Sequence, residues 1–309
     1  MREKTVTVLL SSYNGEKYIR EQIESILQQK CVNVNLIVRD DGSLDQTVSI
    51  LKEYELQGKL TLFCGKNCGY VNSFWNLLML APDSEYYAFA DQDDVWLKNK
   101  LLRAVEQLEK QPALPQLYCA NYYIVDERLN IKKRQGRILS AEAWRPENFI
   151  ITQTPALGNT MVWNHALHSK LTAHPECDWV TEHDHRMQFA AAMLGKITID
   201  KERTILYRQH SANVSGGNFR EGISVWWDIR KKLLRNRLYG DERHKHSNEL
   251  RARNFLDAYR DELDENMIEN LELVRDYRTS IRKTMKLLHS TVCRGMPFKV
   301  RIRVLLHRV

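Results

Sequence analysis

The amino-acid sequence predicts an α/β fold built on a mostly parallel sheet that is flanked by helices. Over residues 5–94, short apolar runs alternate with segments whose apolar residues recur at helical spacing. Each run ends in a small, polar connection, and those after the second and fourth runs carry clustered aspartates. Right-handed crossovers between parallel strands bring such connections to one edge of the sheet, where ligands bind.

Four strands are predicted in this first part of the chain. They are Thr5–Leu10, Val34–Val38, Leu60–Phe63 and Tyr86–Ala90. Turns rich in Gly, Asn, Ser and Asp follow the first three, at residues 11–15, 39–43 and 67–70. Helical spacing resumes after each turn, and Ser43 or Asp45 is placed to cap the second helix.

Three carboxylates follow the fourth strand within four positions, at Asp91, Asp93 and Asp94. They repel one another unless a cation or a set of donors lies among them. Carboxylate oxygens suit Mg²⁺ or Mn²⁺, which commonly link a protein carboxylate to substrate phosphates. A plainer interpretation is a helix capped by Asp94 ahead of Val95–Leu97, but a cap explains only one of the three. We therefore expect a metal-diphosphate site here, with Asp94 chiefly at a helix start.

The second part of the chain continues the alternation. Its predicted elements are a helix over 101–115, a strand over 117–126, a polar and basic arm over 131–139, a turn and strand over 154–163, a helix ending at Gly195, and short strands over 197–200 and 204–208. Glu182 and Asp184 precede or open the helix that ends at Gly195, where acidic residues are often caps. The two histidines beside Asp184 do not have i, i+4 spacing, so a metal site is disfavoured there.

Positive charge is concentrated in the last third of the chain. The formal net charge is +7, and residues 221–309 hold 20 Lys and Arg against 13 Asp and Glu. No acidic side chain follows Asp276, whereas nine Lys or Arg do. This region is predicted to be helical, although residues 298–304 also alternate at period two. Its basic amphipathic character suits a surface helix, a dimer contact or a membrane surface, and no groove-reading or stacking motif points to nucleic acid.

Cysteine usage and hydropathy indicate a cytosolic protein. The six cysteines include no Cys-x-x-Cys pair, and residues 1–4 lead into a strand and not into an apolar secretory segment. We therefore expect reduced thiols. No uninterrupted apolar run of about 18 residues occurs, so no transmembrane helix is expected.

Four short motifs, in this order and spacing, resemble family 2 glycosyltransferases with the GT-A fold. They are Ser12-Tyr13-Asn14-Gly15, Asp40-Asp41-Gly42-Ser43-x-Asp45, Asn67-x-Gly69-x-x-Asn72-x-Phe74 and Asp91-Gln92-Asp93-Asp94. The sequence around Asp91 and in the later segments is most similar to a bacterial rhamnosyltransferase branch of this family. The resemblance implies a Rossmann-like, mostly parallel sheet with a helical basic extension.

The resemblance also implies roles for matching positions on the donor side. Residues expected to contact the donor nucleotide are Ser12, Tyr13, Asn14, Asp41, Asn67, Gly69, Asp91 and Gln92. Asp41 would accept the pyrimidine N3–H, while Asp40 either shares that role or orients the loop. Asp93 and His210 would hold Mn²⁺ or Mg²⁺, and Arg208 would contact the diphosphate.

On the acceptor side, the resemblance makes Asp184 the catalytic base, which would deprotonate a sugar hydroxyl. Gly158, Asn159, Trp179 and His183 are expected to face the acceptor. The plain interpretation of residues 154–163, a turn followed by a core strand, stays open.

The implied function is inverting, metal-dependent transfer of a sugar, with dTDP-rhamnose as donor, to a glycan or polyprenyl-diphosphate-linked acceptor in bacterial surface polysaccharide synthesis. Residues 1–115 would bind the nucleotide-sugar, residues 116–220 the acceptor, and residues 221–309 would form the basic helical region. Since such acceptors are often lipid-linked, we favour a cytoplasmic protein peripheral to the inner face of the plasma membrane, with homodimer contact second. The alternatives are a sugar-nucleotide nucleotidyltransferase, which would want a Gly-rich phosphate loop, and a non-catalytic nucleotide-binding scaffold.

Overall fold

The structure, a computed structural model, describes residues 2–132, 146–151, 156–175, 177, 182–210, 247–294, 296 and 298–306. The strands are β1 (Lys4–Ser12), β2 (Val32–Asp40), β3 (Thr61–Cys64), β4 (Tyr86–Asp91), β5 (Val95–Trp96), β6 (Gln116–Val125), β7 (Met161–Asn164) and β8 (Lys196–Arg208). The helices are α1 (Ile19–Leu27), α2 (Thr47–Leu56), α3 (Tyr70–Leu80), α4 (Lys100–Leu108), α5 (His165–Ala173), α6 (His183–Leu194), α7 (Ser247–Tyr259), α8 (Glu265–Asp276), α9 (Ile281–His289) and α10 (Phe298–Leu305).

The eight strands form one sheet in the order β3-β2-β1-β4-β7-β6-β8-β5. The first four strands by sequence are parallel to their neighbours within this group. β7 runs antiparallel between β4 and β6, β8 is parallel to β6, and β5 is antiparallel to β8. The predicted α/β fold with a mostly parallel sheet is confirmed, and this one sheet contains strands from both sides of residue 115.

Side chains of the central strands pack into two cores, one on each face of the sheet. Val8 and Leu10 of β1 join the core that contains Ile23 of α1, whereas Leu9 joins the core that contains Phe74 of α3. Strands covered on both faces need apolar residues at successive positions, which explains the unbroken apolar runs in the sequence.

Two element predictions need correction. Residues 197–200 and 204–208 lie in one continuous strand, β8, and the helix predicted over 101–115 spans Lys100–Leu108. Of the two alternatives left open for residues 298–304, the structure shows the helix. Residues 133–145 and 152–155 lie outside the described residues, so the predicted arm and the start of the predicted turn are only partly described.

The described C-terminal residues, 247–294 and 298–306, are largely helical, as predicted, and pack on the second part of the chain. Phe255 of α7 meets Phe189 of α6 edge-on at 5.0 Å between ring centroids. Arg251 is buried and donates from Nη2 to the Ile150 carbonyl at 2.9 Å. Within the described residues, no helix is both long enough and apolar enough to cross a membrane. The six cysteines, all of them described, are free.

Candidate active site

The carboxyl ends of β1, β2 and β4 lie side by side and position the acidic connections. In the parallel registers, Ser12 of β1 lies opposite Asp40 of β2, and Ser11 lies opposite Asp91 of β4. The connections that leave β2 and β4 therefore flank the end of β1. Both acidic segments of the sequence border one edge of the sheet, where the α/β fold predicts a ligand site.

Asp41 is buried and paired with a residue that the sequence patterns did not single out. Arg39 Nη1 donates to Asp41 Oδ1 at 2.5 Å, and the two side chains are 8% and 3% exposed. The backbone N–H groups of Cys68 and Gly69 donate to Oδ1 and Oδ2 at 3.0 and 2.9 Å. Burial alone raises the pKa of Asp41, but these donors outweigh it and hold the pKa below its usual value. Asp41 is thus held as an ionised acceptor that ties β2 to the start of α3.

Asp40 organises its own loop, which is one of the two roles expected for it. Its Oδ2 accepts the N–H groups of Gly42 and Ser43 at 3.1 and 2.8 Å, and its Oδ1 accepts the hydroxyl of Ser12 at 3.0 Å. Gly42 has a φ of +84°, and a Cβ there would lie 3.1 Å from the Asn67 nitrogen, so glycine suits this turn. Ser12 is buried and supports the loop through this hydrogen bond.

Gln92 fastens the loop after β1 to the loop after β4. Its side chain accepts the Tyr13 N–H at 2.8 Å and donates to the Tyr13 carbonyl at 2.9 Å. A Cβ on Gly15 would lie 2.2 Å from Gln92 Oε1, so a side chain there would displace Gln92. Asn14 links the first loop to the second, because its N–H donates to the Ser43 hydroxyl at 2.8 Å. Tyr13 itself is exposed, and its ring is accessible to a ligand.

Asp93 and His210, the two predicted metal ligands, meet in the folded chain. His210 Nε2 lies 2.8 Å from Asp93 Oδ2, and the imidazole stacks on the Tyr18 ring at 4.8 Å between centroids. Their side chains are 14% (Asp93) and 10% (His210) exposed, so the pair is largely enclosed. It offers a carboxylate oxygen and an imidazole nitrogen to a single ion.

The pKa values of Asp91 and Asp94, which flank Asp93, are raised. Burial raises the pKa of Asp91 to about 7, and the charges of Asp93 and Asp184 act in the same direction. Burial, Asp93 and Asp91 also raise the pKa of Asp94. A divalent cation among these groups would favour their ionised forms and relieve the repulsion.

The residues present fit a divalent ion that is completed by substrate. Within the described parts of the chain, no group of three His, Cys, Asp or Glu side chains is arranged to hold a metal. Asp93 and His210 would therefore supply the protein ligands, and phosphate oxygens and water would fill the remaining positions, as is common for Mg²⁺ at phosphate substrates. Mn²⁺ accepts the same donors.

Asp94 does not start a helix, contrary to the prediction. Residues 95–96 form β5, which pairs with β8, and the next helix begins at Lys100. Asp94 is completely buried, where its Oδ1 accepts the Arg208 N–H at 3.1 Å and its Oδ2 accepts a hydrogen bond from Asn159. Asp94 therefore fixes the chain behind the Asp93–His210 pair. Asn159, predicted to face the acceptor, is buried in this support.

Arg208 anchors the connection that carries Asp93, and the structure argues against the predicted diphosphate contact. Its guanidinium donates to the carbonyls of Asp93 and Glu127 at 2.8 and 2.5 Å and forms an ion pair with Glu21. It also lies over the Tyr18 ring, 4.6 Å from the centroid. With only 2% of the side chain exposed, these protein groups enclose the charge.

Asp184 lies in the first turn of α6, directly beside Gly158. A Cβ on Gly158 would lie 3.6 Å from the Asp184 Cβ and 2.7 Å from His183 Nε2, so a side chain there would disturb both. Burial raises the pKa of Asp184 to about 6, the charge of Glu182 adds to the rise, and the N–H of His185 opposes it. A carboxylate with a raised pKa is a better proton acceptor near neutral pH.

His183 forms an apolar, uncharged wall beside Asp184. Its ring stacks on Phe74 at 4.3 Å and meets Phe89 edge-on at 5.3 Å between centroids. Burial and the charge of Arg186 lower the pKa of His183 to about 3, so the imidazole is neutral. Two of the four predicted acceptor-side residues thus adjoin Asp184. Trp179 lies outside the described residues.

Comparison with protein families shows which family the chain belongs to. The sequence model for Glycosyl transferase family 2 matches residues 7–166, more than half of the chain. The chain belongs to glycosyl transferase family 2. This family 2 member is 28% identical over 288 residues to the dTDP-rhamnosyl transferase RfbG of Shigella flexneri, a match that covers 89% of this chain and 94% of the relative.

Solved structures place this family 2 glycosyltransferase in the GT-A fold. One is S. aureus TarS 1–349 in complex with UDP-GlcNAc, with a TM-score of 0.55 and 16% identity, covering 98% of this chain and 89% of that chain. Another is the mannosyltransferase PcManGT from Pyrobaculum calidifontis in complex with GDP-Man and Mn²⁺. It has a TM-score of 0.50 and 16% identity, covering 100% of this chain and 86% of that chain. At these identities the likeness concerns the fold, and it confirms the GT-A prediction.

Two features of this glycosyltransferase site were missed from the sequence. Arg39 directly precedes the Asp40-Asp41 pair, and a basic residue at the end of a buried strand was an available signal for an internal ion pair. Tyr70 donates its hydroxyl to Glu182 Oε1 at 2.9 Å and so joins the donor-side loop to the start of α6. No local pattern indicates a contact between residues so far apart in sequence.

Proposed function

We propose that this protein is an inverting, metal-dependent glycosyltransferase that moves L-rhamnose from dTDP-rhamnose to a glycan or polyprenyl-diphosphate-linked acceptor in bacterial surface polysaccharide synthesis. One observation carries the proposal. Asp93, paired with His210, follows the end of β4, and Asp184 follows His183, whose ring meets Phe89 of the same strand edge-on at 5.3 Å. A donor-binding group and a base are both needed for transfer to a hydroxyl.

Donor recognition is assigned to the loops around Asp41. The carboxylate is ionised, and among the described contacts its Oδ2 accepts one hydrogen bond, from Gly69. A carboxylate oxygen accepts two, so a pyrimidine N3–H fits the remaining position. This arrangement favours binding of thymine or uracil and disfavours binding of cytosine, whose N3 is an acceptor. The exposed ring of Tyr13 would contact the base or ribose.

Asp93 and His210 are assigned to hold Mn²⁺ or Mg²⁺. When bound, the ion would neutralise the negative charge that grows on the diphosphate as its bond to the sugar breaks. The protein itself keeps the two ligands in place. Arg208 contributes by donating a hydrogen bond to the Asp93 carbonyl.

Asp184 is assigned as the base. The acceptor oxygen forms a bond to the anomeric carbon on the face opposite the leaving group, while the bond from that carbon to the diphosphate oxygen breaks. The acceptor proton passes to Asp184, and the nucleoside diphosphate leaves with the electron pair. Attack from the opposite face inverts the anomeric centre. Glycine at 158 lets His183 and Asp184 pack against the backbone there, because a Cβ would lie 2.7 Å from His183 Nε2.

The choice of L-rhamnose is supported by the likeness to a dTDP-rhamnosyl transferase along nearly the whole length of both chains. The acceptor is proposed from the resemblance of the sequence motifs and from the basic C-terminal region. A lipid-linked acceptor would place the enzyme at the cytoplasmic face of the plasma membrane, where anionic lipids attract basic surfaces.

The test combines a thermal-shift panel of nucleotide-sugars, with Mn²⁺ or Mg²⁺, and a product assay. We expect dTDP-rhamnose with metal to raise Tm most, and dTDP release to depend on acceptor. Greater stabilisation by another nucleotide-sugar would refute the donor. Release of pyrophosphate from dTTP and a sugar phosphate would instead show a nucleotidyltransferase, and binding without any turnover would show a scaffold.

A further inference from the structure

Helix α10 carries a stripe of exposed apolar side chains. The stripe consists of Phe298, Ile302, Leu305 and Leu306, which are 78%, 38%, 47% and 53% exposed. Leu306 follows the helix, but its N–H still donates to the Ile302 carbonyl at 2.9 Å, so helical spacing continues. Positions i, i+4, i+7 and i+8 share one helix face. This face therefore exposes large side chains where a surface helix normally carries polar ones.

The opposite face of α10 already binds the protein. Val304 is fully buried, and Val300 packs against the core that contains the C-terminal helices. The apolar stripe is consequently not needed to attach α10 to its own chain. The neighbouring helix α9 adds two more exposed apolar side chains, Ile281 and Met285, at 71% and 42%.

The surroundings of the apolar stripe are basic. Arg282, Lys286, Arg294 and Arg301 are exposed, and no acidic residue follows Asp276 in the sequence. Lys286 pairs with Glu269, whereas the other three have no acidic partner among the ion pairs found in the described residues. A large apolar face bordered by positive charge is the composition of a helix that lies in a membrane interface.

We propose that the apolar stripe of α10 docks on an anionic lipid bilayer, with the helix parallel to the membrane plane and the exposed arginines on the headgroups. A second copy of the chain is the less favourable occupant, because a symmetric contact would bring two positive surfaces together. Anionic headgroups instead complement that charge, and the acyl boundary accepts the four apolar side chains. This inference deepens the proposed function by placing the enzyme beside a lipid-linked acceptor, but it requires no particular donor.

The experiment is flotation of the full chain with vesicles. One set contains phosphatidylcholine and about one-third phosphatidylserine, and the other contains phosphatidylcholine alone. The test variant is Phe298→Ser with Ile302→Ser. The matched control is Leu56→Ser with Leu114→Ser, which removes leucines that are 90% and 36% exposed and lie outside the basic C-terminal region of the sequence. A third variant, Arg282→Gln with Arg294→Gln, removes charge alone.

We expect the wild type to float with anionic vesicles and to be released by high salt. The stripe variant should lose on the order of tenfold in vesicle affinity at unchanged Tm, the charge variant should lose affinity for anionic vesicles, and the control should match the wild type. Equal flotation of stripe variant and wild type, or no flotation of the wild type, overturns the inference. So does a wild-type dimer that the stripe variant dissociates without vesicles. Transfer to a water-soluble acceptor, measured in parallel, tests the proposed function separately.

Discussion

His210 Nε2 lies 2.8 Å from Asp93 Oδ2, although 117 positions separate the two residues in the sequence. The same segment supports the contact, because Arg208 donates to the Asp93 carbonyl at 2.8 Å and its N–H donates to Asp94. The end of β8 thus brings one of the two proposed metal ligands to the site and holds the other in place. Metal binding at the end of β4, as proposed, would consequently depend on correct placement of β8 in the sheet.

Replacing Asp93 with alanine should weaken metal-dependent donor binding. The variant loses the carboxylate ligand, while the Arg208 contact to the backbone carbonyl remains available. We expect the gain in Tm from nucleotide-sugar plus Mn²⁺ to fall to that seen with nucleotide-sugar alone, and the transfer rate to fall by about 100-fold or more. Thermal shift and dTDP release would measure both. A variant as active as the wild type without added metal would rule out this role.

Replacing Asp184 with asparagine should abolish transfer and leave nucleotide binding nearly intact. The amide keeps the shape of the side chain but cannot accept the acceptor proton, so kcat should fall by about 10²–10⁴-fold. Isothermal titration with the nucleotide-sugar should give a Kd within about twofold of the wild type. Unchanged turnover in this variant would contradict the assignment of Asp184 as the base.

The dependence of wild-type kcat/KM on pH should reflect the ionisation of Asp184. Because burial raises the pKa of Asp184 to about 6, the ionised base is lost as the pH falls through 6. Below that value, kcat/KM should fall about tenfold per pH unit. A flat profile from pH 7 down to pH 5 would show that no group with this pKa acts as the base.

Glu182 should influence the acid limb of this pH profile, the fall in kcat/KM below pH 6, without contacting the reacting atoms. Its charge contributes to the raised pKa of Asp184, and its Oε1 accepts the Tyr70 hydroxyl. Glu182→Gln keeps an acceptor for Tyr70 but removes the charge, so the acid limb should move to lower pH. Relative activity below the limb should rise about twofold. The exposed Glu265→Gln is the control and should leave the profile unchanged, and an unmoved limb in Glu182→Gln would refute the electrostatic role.

Local patterns in the sequence were enough to predict where strands end, but not which residues contact one another across the sheet. The Asp91-Gln92-Asp93-Asp94 motif identified the edge of the sheet correctly, since strand and turn propensities act over a few residues. Val95–Leu97 resembled a helix start because the pairing of β5 with β8 is a long-range contact. Arg208 was expected to face a diphosphate for the same reason, because its acceptors come from three other segments.

Arg39 should be the most costly single charge to remove from the donor side. Arg39→Met would leave Asp41 buried without its ion pair and would also remove the donor to the Ser73 hydroxyl at 2.9 Å. Breaking a buried pair in this way costs about 3 kcal/mol or more of the free energy of unfolding at neutral pH. Urea denaturation would measure it. The control is Arg260→Met, which breaks the exposed pair with Glu272 and should cost under about 1 kcal/mol.

The stability deficit of Arg39→Met should also depend on pH with a defined sign. In the wild type the pKa of Asp41 is lowered on folding, so its contribution is complete near neutral pH and is lost as the pH falls through the acid range. In the variant, burial acts on Asp41 without the arginine and favours the protonated form, so acid should stabilise the variant relative to the wild type. The difference between the two unfolding free energies should therefore narrow from pH 7 to pH 4. A constant or widening difference would show that Arg39 stabilises the loop through packing and not through its charge.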